Sequence, residues 1–505
     1  SVPRIKKNNR MAEFALQNGE FFSVLAETLA GRQYDRAALE KNWKLLLLNQ
    51  FHDILPGSAI EKVYADSDRQ FAELFSGLAD IQEGALRSLC GKIALPEREK
   101  RVGKRVAVFN PNGFRATGTV RLGGKTRVIK DVPSMGYKVI GGSRRSGGIA
   151  VGERTLENAS YKLVFDESGA LVSLWDKRFG REIAAPGEKL NEFRAYEDMP
   201  YQYDNWEIAP YYKQKEWILN GKAKFEPIRD GDRAGFVVTK KYGDSTIVQK
   251  IFLYEGLDRI DFVTDVDWKE KRQLLKVRFP FALLIDKATY DIQFGNIERS
   301  TSGNTSWDSA RFECAGQKWV DMSENNYGVA LLNDGKYGFG AEENVLTMTV
   351  LKSGSFPYPG ASDVVPEFTY SLLPHAGDFR RGGVEEAAYI LNRGLIAREL
   401  PETRSVPEKA VEGTDVLPEE YSFVSCAAKG VYIETVKKAE NGDGIVLRLF
   451  EAFRETKEIV LHFGIKIAKA TLCNLLEEEE EPLKVSGNSV AFTIKPFEIV
   501  TIKVQ

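Results

Sequence analysis

The stretch that decides the fold class covers residues 260–268 and reads IDFVTDVDW. Two sets of side chains alternate along it, one apolar or neutral and one mainly acidic. The first set is Ile260, Phe262, Thr264, Val266 and Trp268, and the second is Asp261, Asp265 and Asp267. An alternation of period two is typical of a strand that is buried on one face. We therefore predict a strand whose first set faces a core.

Similar short runs continue from Val106 to the C-terminus. They are separated by turn sequences such as NPNG at residues 110–113 and NDG at residues 333–335. Strands do not alternate with helices in this pattern, which argues against a parallel sheet or a TIM barrel within these residues. The pattern predicts large antiparallel sandwiches.

The first ninety residues have the apolar periodicity of helices instead. Gly31 is placed to end the first helix in a left-handed conformation, and Asp35 is placed to cap the second. Ser58 and Glu61 form a capping-box pattern ahead of the third. We predict a three-helix bundle.

Composition shifts divide the chain into four predicted domains. Residues 95–101 are charged and typical of a linker, and a second polar segment covers residues 401–420. The predicted domains are a three-helix bundle (1–92), a small β domain (100–150), a large antiparallel β-sandwich or supersandwich (151–405) and a C-terminal β domain (415–505). The predicted fold class is therefore multidomain and mainly β.

Composition also excludes several classes of partner. The 505 residues include 70 basic and 72 acidic side chains, a net charge of −2. This balance argues against nucleic acid and anionic membranes, which require a basic face. No apolar stretch reaches the roughly 18–20 residues that span a bilayer. The four cysteines are far apart in sequence, which favours a reducing compartment, and we expect a cytoplasmic protein.

The candidate site is residues 49–58, NQFHDILPGS, between the second and third helices. The imidazole of His52 beside the carboxylate of Asp53 suits metal binding or acid–base chemistry. A histidine near a helix end also caps carbonyls or packs, and from these residues alone that interpretation is favoured. A zinc site needs three or four ligands, and the only other histidines are His375 and His462. Partners of a metal at His52 are therefore carboxylates or lie outside this chain.

The same ten residues resemble the hallmark segment of glycoside hydrolase family 38, the retaining α-mannosidases. Other segments resemble family landmarks in the same order over nearly the whole chain. They are residues 108–111 (VFNP), 131–137 (DVPSMGY), 171–177 (LVSLWDK), 196–200 (YEDMP) with 204–206 (DNW), 304–308 (NTSWD), 327–333 (YGVALLN), 370–378 (YSLLPHAGD) and 496–499 (PFEI).

This resemblance implies that His52 is a ligand of one Zn²⁺ and that Asp53 contacts substrate hydroxyls. In the family, the other zinc ligands, the nucleophile and the acid/base belong to an N-terminal catalytic barrel. We find no catalytic residue in this chain, and the first residue is not Met. We therefore expect a truncated form that lacks this barrel, shares the zinc with it and is inactive alone.

Asp204 and Trp206 are weaker candidates for substrate binding. An indole face suits a pyranose and a carboxylate suits its hydroxyls, but a tryptophan here is also typical of a sandwich core. The function that the resemblance implies is hydrolysis of terminal α-mannosidic bonds in mannose-containing oligosaccharides. The alternatives are a non-catalytic carbohydrate-binding or scaffold module and a mannosylglycerate hydrolase relative. Among possible assemblies of this chain we consider a homodimer.

Overall fold

The structure is a computed structural model that describes residues 2–93, 105–141, 147–401 and 416–505. The predicted linker at 95–101 lies outside the described residues, as does most of the predicted polar segment at 401–420. Within the described ranges the chain is mainly β with a helical N-terminal part, which confirms the predicted fold class. No described helix combines the length and the hydropathy that crossing a bilayer requires.

The N-terminal helices form the predicted bundle around a buried apolar core. They are α1 (Pro3–Ala30), α2 (Arg36–Asn49) and α3 (Glu61–Cys90). Gly31 ends α1 with a φ of 71°, as predicted. Asp35 precedes α2, but its carboxylate accepts a hydrogen bond from Arg32 at 3.1 Å and caps no helix amide.

The start of α3 differs from the prediction. The residue before the helix is Ile60, which makes no side-chain cap, so the predicted capping box of Ser58 and Glu61 is wrong. Instead, the amide of Ala59 donates to the hydroxyl of Tyr64 at 2.8 Å. A buried side chain from the helix itself therefore satisfies the donor just ahead of α3.

The large β part consists of a nine-stranded and a six-stranded sheet, whose inner faces share one hydrophobic core. In spatial order the nine strands are Lys224–Asp230, Arg233–Tyr242, Ser245–Tyr254, Ile260–Asp267, Phe368–Ala376, Tyr327–Asn333, Trp319–Ser323, Lys287–Ile292 and Gly295–Ser300. The six are Glu216–Ile218, Glu192–Glu197, Gln273–Pro280, Val345–Lys352, Gly338–Glu342 and Cys314–Ala315. All their ladders are antiparallel, as predicted.

Smaller sheets surround this sandwich. A five-stranded sheet contains Ala150–Val151, Thr155–Glu157, Tyr161–Phe165, Leu171–Asp176 and Arg181–Glu182. A four-stranded sheet contains Ile396–Glu399, Arg105–Asn110, Gly136–Gly141 and Glu420–Ser422, and a hairpin pairs Ala116–Leu122 with Lys125–Val132. The short helices α4 (Ser306–Ser309), α5 (Phe379–Gly382) and α6 (Val384–Asn392) and the 3-10 helix Pro210–Gln214 lie between strands.

The C-terminal residues form two further sheets. One contains Val424–Cys426, Lys457–Phe463, Ser489–Ile494 and Val485–Ser486, and the other contains Val431–Lys438, Ile445–Glu451, Ile499–Val504, Ala470–Cys473 and Glu479–Leu483. One buried cluster joins these sheets to Phe22 of α1 and to Phe109 and Tyr137 of the four-stranded sheet. The bundle therefore packs directly on the C-terminal β part. The four predicted domain boundaries stay a prediction.

Candidate functional site

His52 and Asp53 lie in the connection between α2 and α3, as predicted from the sequence. This connection is a series of tight turns, in which the amide of Ile54 donates to the carbonyl of Phe51 at 2.9 Å and that of Gly57 to Ile54 at 3.1 Å. Because these turns use the backbone groups, the side chains at their outer surface are left free for other contacts. The side chain of His52 is 77% exposed and that of Asp53 is 59% exposed.

The two side chains are adjacent but only loosely paired. His52 Nε2 lies 3.5 Å from Asp53 Oδ2, beyond the range of a strong hydrogen bond. The ring of Phe51 lies against the imidazole, with the ring centroids 4.1 Å apart. An imidazole that is held on one side by an aromatic ring and open on the other is available to an external partner.

A second wall comes from two loops at the edge of the sandwich. The carboxylate of Asp204 accepts hydrogen bonds from the amide of Ser355 at 2.8 Å, its hydroxyl at 2.7 Å and the amide of Phe356 at 2.7 Å. The side-chain amide of Asn205 donates to the carbonyl of Tyr358 at 2.8 Å. Burial opposes ionisation of Asp204, but these hydrogen bonds outweigh it and lower the pKa of its carboxyl. These hydrogen bonds therefore join the loop of Asp204 and Asn205 to the loop of residues 355–358.

Between these walls lies an open cavity of about 590 Å³, within the size range of small-ligand sites. Asp53 contributes to its lining from the bundle, with Phe51 and Ile60. Trp206 contributes from the sandwich, with Tyr203 and Phe356. His52 does not line it, although both of its chain neighbours do. The tertiary structure thus brings three of the four predicted site residues to one place: Asp53 and Trp206 line the cavity, and Asp204 supports its wall.

Trp206 is 69% exposed and belongs to a turn, so the alternative that placed it in the sandwich core is wrong. We call the exposed aromatic side chains Phe51, Tyr203, Trp206 and Phe356 the aromatic rim; they are 40–69% exposed. Tyr203 and Phe356 were not predicted from the sequence. The signal for Tyr203 was a group of aromatic residues, YQYDNW at 201–206, without strand alternation. Phe356 is 150 residues further along the chain and carried no such signal.

We expect replacement of Asp204 by alanine to loosen the loop that carries Phe356. It leaves the amides of Ser355 and Phe356 without their acceptor, which costs about 1–3 kcal/mol of unfolding free energy. Because folding lowers the pKa of Asp204, its contribution is full above the unfolded pKa of about 3.9 and is lost as pH falls through the folded value. Urea denaturation of wild type and variant at pH 7 and pH 3 measures both effects.

The matched control is Asp267→Ala, which removes an exposed carboxylate paired with Lys269 on the surface. It is expected to change the unfolding free energy by less than about 0.5 kcal/mol. Equal unfolding free energies for wild type and Asp204→Ala at pH 7 would contradict the assignment of Asp204 as the link between the loops.

The other two histidines lie in different surroundings. His375 is buried, with Nε2 2.8 Å from Asp321 Oδ1, and the Nδ1 atom of His462 lies 2.8 Å from the hydroxyl of Ser489 on the C-terminal part. Among the described residues, no group of three or more His, Cys, Asp or Glu side chains is arranged to hold a metal ion. His52 is thus the exposed imidazole next to the cavity. The described residues around it do not form a complete set of metal ligands.

Three family models match this chain in sequence order. Residues 1–89 match the alpha mannosidase middle domain, residues 156–360 match the glycosyl hydrolases family 38 C-terminal domain, and residues 430–502 match the glycosyl hydrolases family 38 C-terminal beta sandwich domain. The candidate site draws on two of these regions, since His52 and Asp53 belong to the first and Tyr203, Trp206 and Phe356 to the second.

Relatives match over the whole length of the chain. Alpha-mannosidase 2C1 of Homo sapiens is 32% identical over 99% of this chain and 48% of its own length, and alpha-mannosidase G of Dictyostelium discoideum is 27% identical over 99% and 51%. The chain therefore spans about half the length of these curated relatives.

The crystal structure of an alpha-mannosidase from Enterococcus faecalis superimposes on the whole chain and on 67% of its own, with a TM-score of 0.84 and 16% sequence identity. At this identity the superposition establishes the fold alone. The ordered matches of the three family models, with the relatives that match along the whole chain, show that the chain belongs to glycosyl hydrolase family 38, of which it comprises the middle and C-terminal domains.

Proposed function

We propose that this chain, together with a catalytic domain outside this sequence, forms the active site of a retaining α-mannosidase. The reaction is hydrolysis of terminal α-mannosidic bonds in oligosaccharides. The observation that carries the proposal is the exposed His52-Asp53 pair next to a cavity with an aromatic rim, in a chain of family 38. Retention requires two carboxylates about 5–5.5 Å apart, and the catalytic domain would supply both.

In this proposal the cavity binds the sugar ring. The carboxylate of Asp53 accepts hydrogen bonds from sugar hydroxyls, since an ionised carboxylate only accepts. The rings of Trp206 and Tyr203 offer apolar faces to the C–H side of a pyranose. Asp204 has three donors inside the protein, so we assign it to positioning the loop that carries Trp206.

We further propose that His52 holds one Zn²⁺ jointly with the catalytic domain. Its imidazole is exposed and not firmly hydrogen-bonded, which fits one ligand of a zinc site. The described residues do not complete such a site, so the remaining ligands would come from the catalytic domain. When bound, the ion would hold sugar hydroxyls and favour distortion of the ring toward an oxocarbenium-like transition state.

The first test uses the 505-residue chain alone. We expect it to hydrolyse an aryl α-mannoside no faster than buffer and to retain much less than one zinc per chain after dialysis, because one ligand holds the ion weakly. The measurements are a chromogenic assay and metal analysis of the purified chain. A longer polypeptide that includes the upstream coding sequence is the positive control, and robust activity of the chain alone would overturn the proposed division of the site.

Two further measurements test the alternative functions. Saturable binding of mannose to the chain alone that survives His52→Ala and is lost in Trp206→Ala would favour a non-catalytic carbohydrate-binding module. Hydrolysis of mannosylglycerate in preference to an oligosaccharide by the longer polypeptide would favour the mannosylglycerate branch.

We propose a cytoplasmic location. The supporting observation is that all four cysteines are unpaired, with Cys90 and Cys473 buried, as expected in a reducing compartment. Localisation of a tagged copy of the longer polypeptide tests this, and secretion into the medium would contradict it. The homodimer stays a prediction, which light scattering can measure.

A further inference from the structure

A second cavity lies where the bundle packs on the C-terminal β part. Its volume is about 320 Å³. Glu20 of α1 and Trp43 of α2 contribute from one side, with Tyr34 between the helices. Lys437 and Arg448, on neighbouring C-terminal strands, contribute from the other. Junctions between packed parts of a chain are common places for small-molecule sites.

Glu20 is the unusual group in this cavity. The residue is only 5% exposed, and Oε1 accepts a hydrogen bond from the indole of Trp43 at 2.9 Å. Oε2 has no hydrogen-bond partner among the described residues, and Glu20 lines the cavity. Burial raises the pKa of Glu20 to about 7 against the opposing effects of Lys437 and Trp43. A buried carboxyl with a free acceptor requires a donor from water or from a ligand.

The charges in the wall decide which kind of donor fits. Four basic side chains (Arg36, Lys437, Lys438 and Arg448) and three acidic ones (Glu20, Glu40 and Glu440) line the cavity, so its wall is nearly balanced in charge and gives an organic cation no net attraction. Three of the basic side chains are already paired with carboxylates: Lys438 with Glu27 at 2.5 Å, Lys437 with Glu477 at 2.8 Å and Arg36 with Glu440 at 3.6 Å. Arg448 Nη2 donates to the carbonyl of Leu475 at 2.8 Å, whereas the buried Nε of Arg448 has no hydrogen-bond partner among the described residues and could donate to a hydroxyl. An anion would therefore have to displace existing pairs next to Glu20.

We infer that this junction cavity binds a neutral polyhydroxylated molecule of about the size of one sugar ring. A hydroxyl supplies the donor that Glu20 Oε2 lacks without adding charge. Trp43 and Tyr34 offer aromatic surface to the apolar side of such a ring. The inference is independent of the proposed catalytic function, because neither Glu20 nor Trp43 lines the cavity beside His52.

The test is a calorimetric titration of the 505-residue chain with D-mannose, D-glucose and glycerol in separate experiments. We expect saturable one-to-one binding of at least one of the hexoses in the millimolar range. Glu20→Gln, which removes the charged acceptor but keeps the shape, should weaken binding about tenfold. Thr435→Trp places a large side chain at the wall and should abolish binding without changing Glu20.

The matched control is Trp307→Ala, which removes an exposed aromatic side chain that lines neither cavity and should leave this binding unchanged. The thermal midpoint of each variant, without ligand, establishes that it is folded. Absence of saturable binding up to about 100 mM hexose, or unchanged binding in both Glu20→Gln and Thr435→Trp, would overturn the inference. Tighter binding of choline than of either hexose would overturn the assigned ligand class.

Discussion

Replacing His52 with alanine in the longer polypeptide is expected to lower kcat/KM for an aryl α-mannoside by at least about 1,000-fold, with loss of the bound zinc. The imidazole is the zinc ligand that this chain contributes in the proposed site, and a metal ion stabilises developing charge by several kcal/mol. Because the side chain is 77% exposed in the 505-residue chain, the same replacement in that chain alone should leave its thermal midpoint almost unchanged. Activity and zinc content are measured on the longer polypeptide, and the midpoint is measured on the 505-residue chain.

The control for this variant is His462→Ala. His462 is also exposed and lies on the strand Lys457–Phe463 of the C-terminal part. Its replacement should change neither zinc content nor activity. An active His52→Ala enzyme with a full complement of zinc would reject the ligand assignment, whereas loss of activity with zinc retained would reassign His52 to a substrate contact.

Replacing Lys318 with methionine is expected to destabilise the protein by about 3–5 kcal/mol. Lys318 Nζ lies 2.9 Å from Asp291 Oδ2 and 3.2 Å from Glu385 Oε1, and its side chain is 12% exposed. Burial raises the pKa of Glu385 to about 7, and Lys318 opposes this rise. The variant leaves two buried carboxylates without their cation. Urea denaturation followed by circular dichroism measures the loss.

The matched control is Lys287→Met. Lys287 forms a surface pair with Glu298, with the two side chains 52% and 38% exposed, so its removal should cost less than about 0.5 kcal/mol. Adding Glu385→Gln to Lys318→Met should recover part of the loss, because one buried charge is removed with the other. If Lys318→Met and wild type unfold with the same urea midpoint, the role assigned to Lys318 is wrong.

The buried charges of Lys318, Asp291 and Glu385 affect the candidate site, because Lys318 links Glu385 of α6 to Asp291 of the sandwich. Tyr389 of α6 contacts both Lys318, whose Nζ lies 4.7 Å from the ring centroid, and Phe14 of α1, with ring centroids 6.1 Å apart. The bundle and the sandwich supply opposite walls of the cavity beside His52. We therefore expect Lys318→Met to weaken the contact that keeps these walls together.

The sequence by itself predicted the helices, the strand alternation and the place of His52 and Asp53 along the chain, but not how α2 and α3 begin. Alternation at residues 260–268 predicted the strand Ile260–Asp267, and Gly31 predicted the end of α1. The segment around His52 and Asp53 was found in its place between two helices. These predictions succeed because periodicity and turn chemistry act over a few neighbouring residues.

Only the tertiary structure decided which distant groups meet. Asp261 was predicted to lie on the outer face of its strand, yet it is 3% exposed because Arg259, Tyr254 and Ser371 surround its carboxylate. Trp206 meets Asp53 across one cavity although 153 positions separate them in sequence. The strand Ile396–Glu399 pairs with Arg105–Asn110 across a larger gap, with Val106 opposite Glu399. Such contacts depend on how complete faces pack and which buried charges find partners, and no local pattern records them.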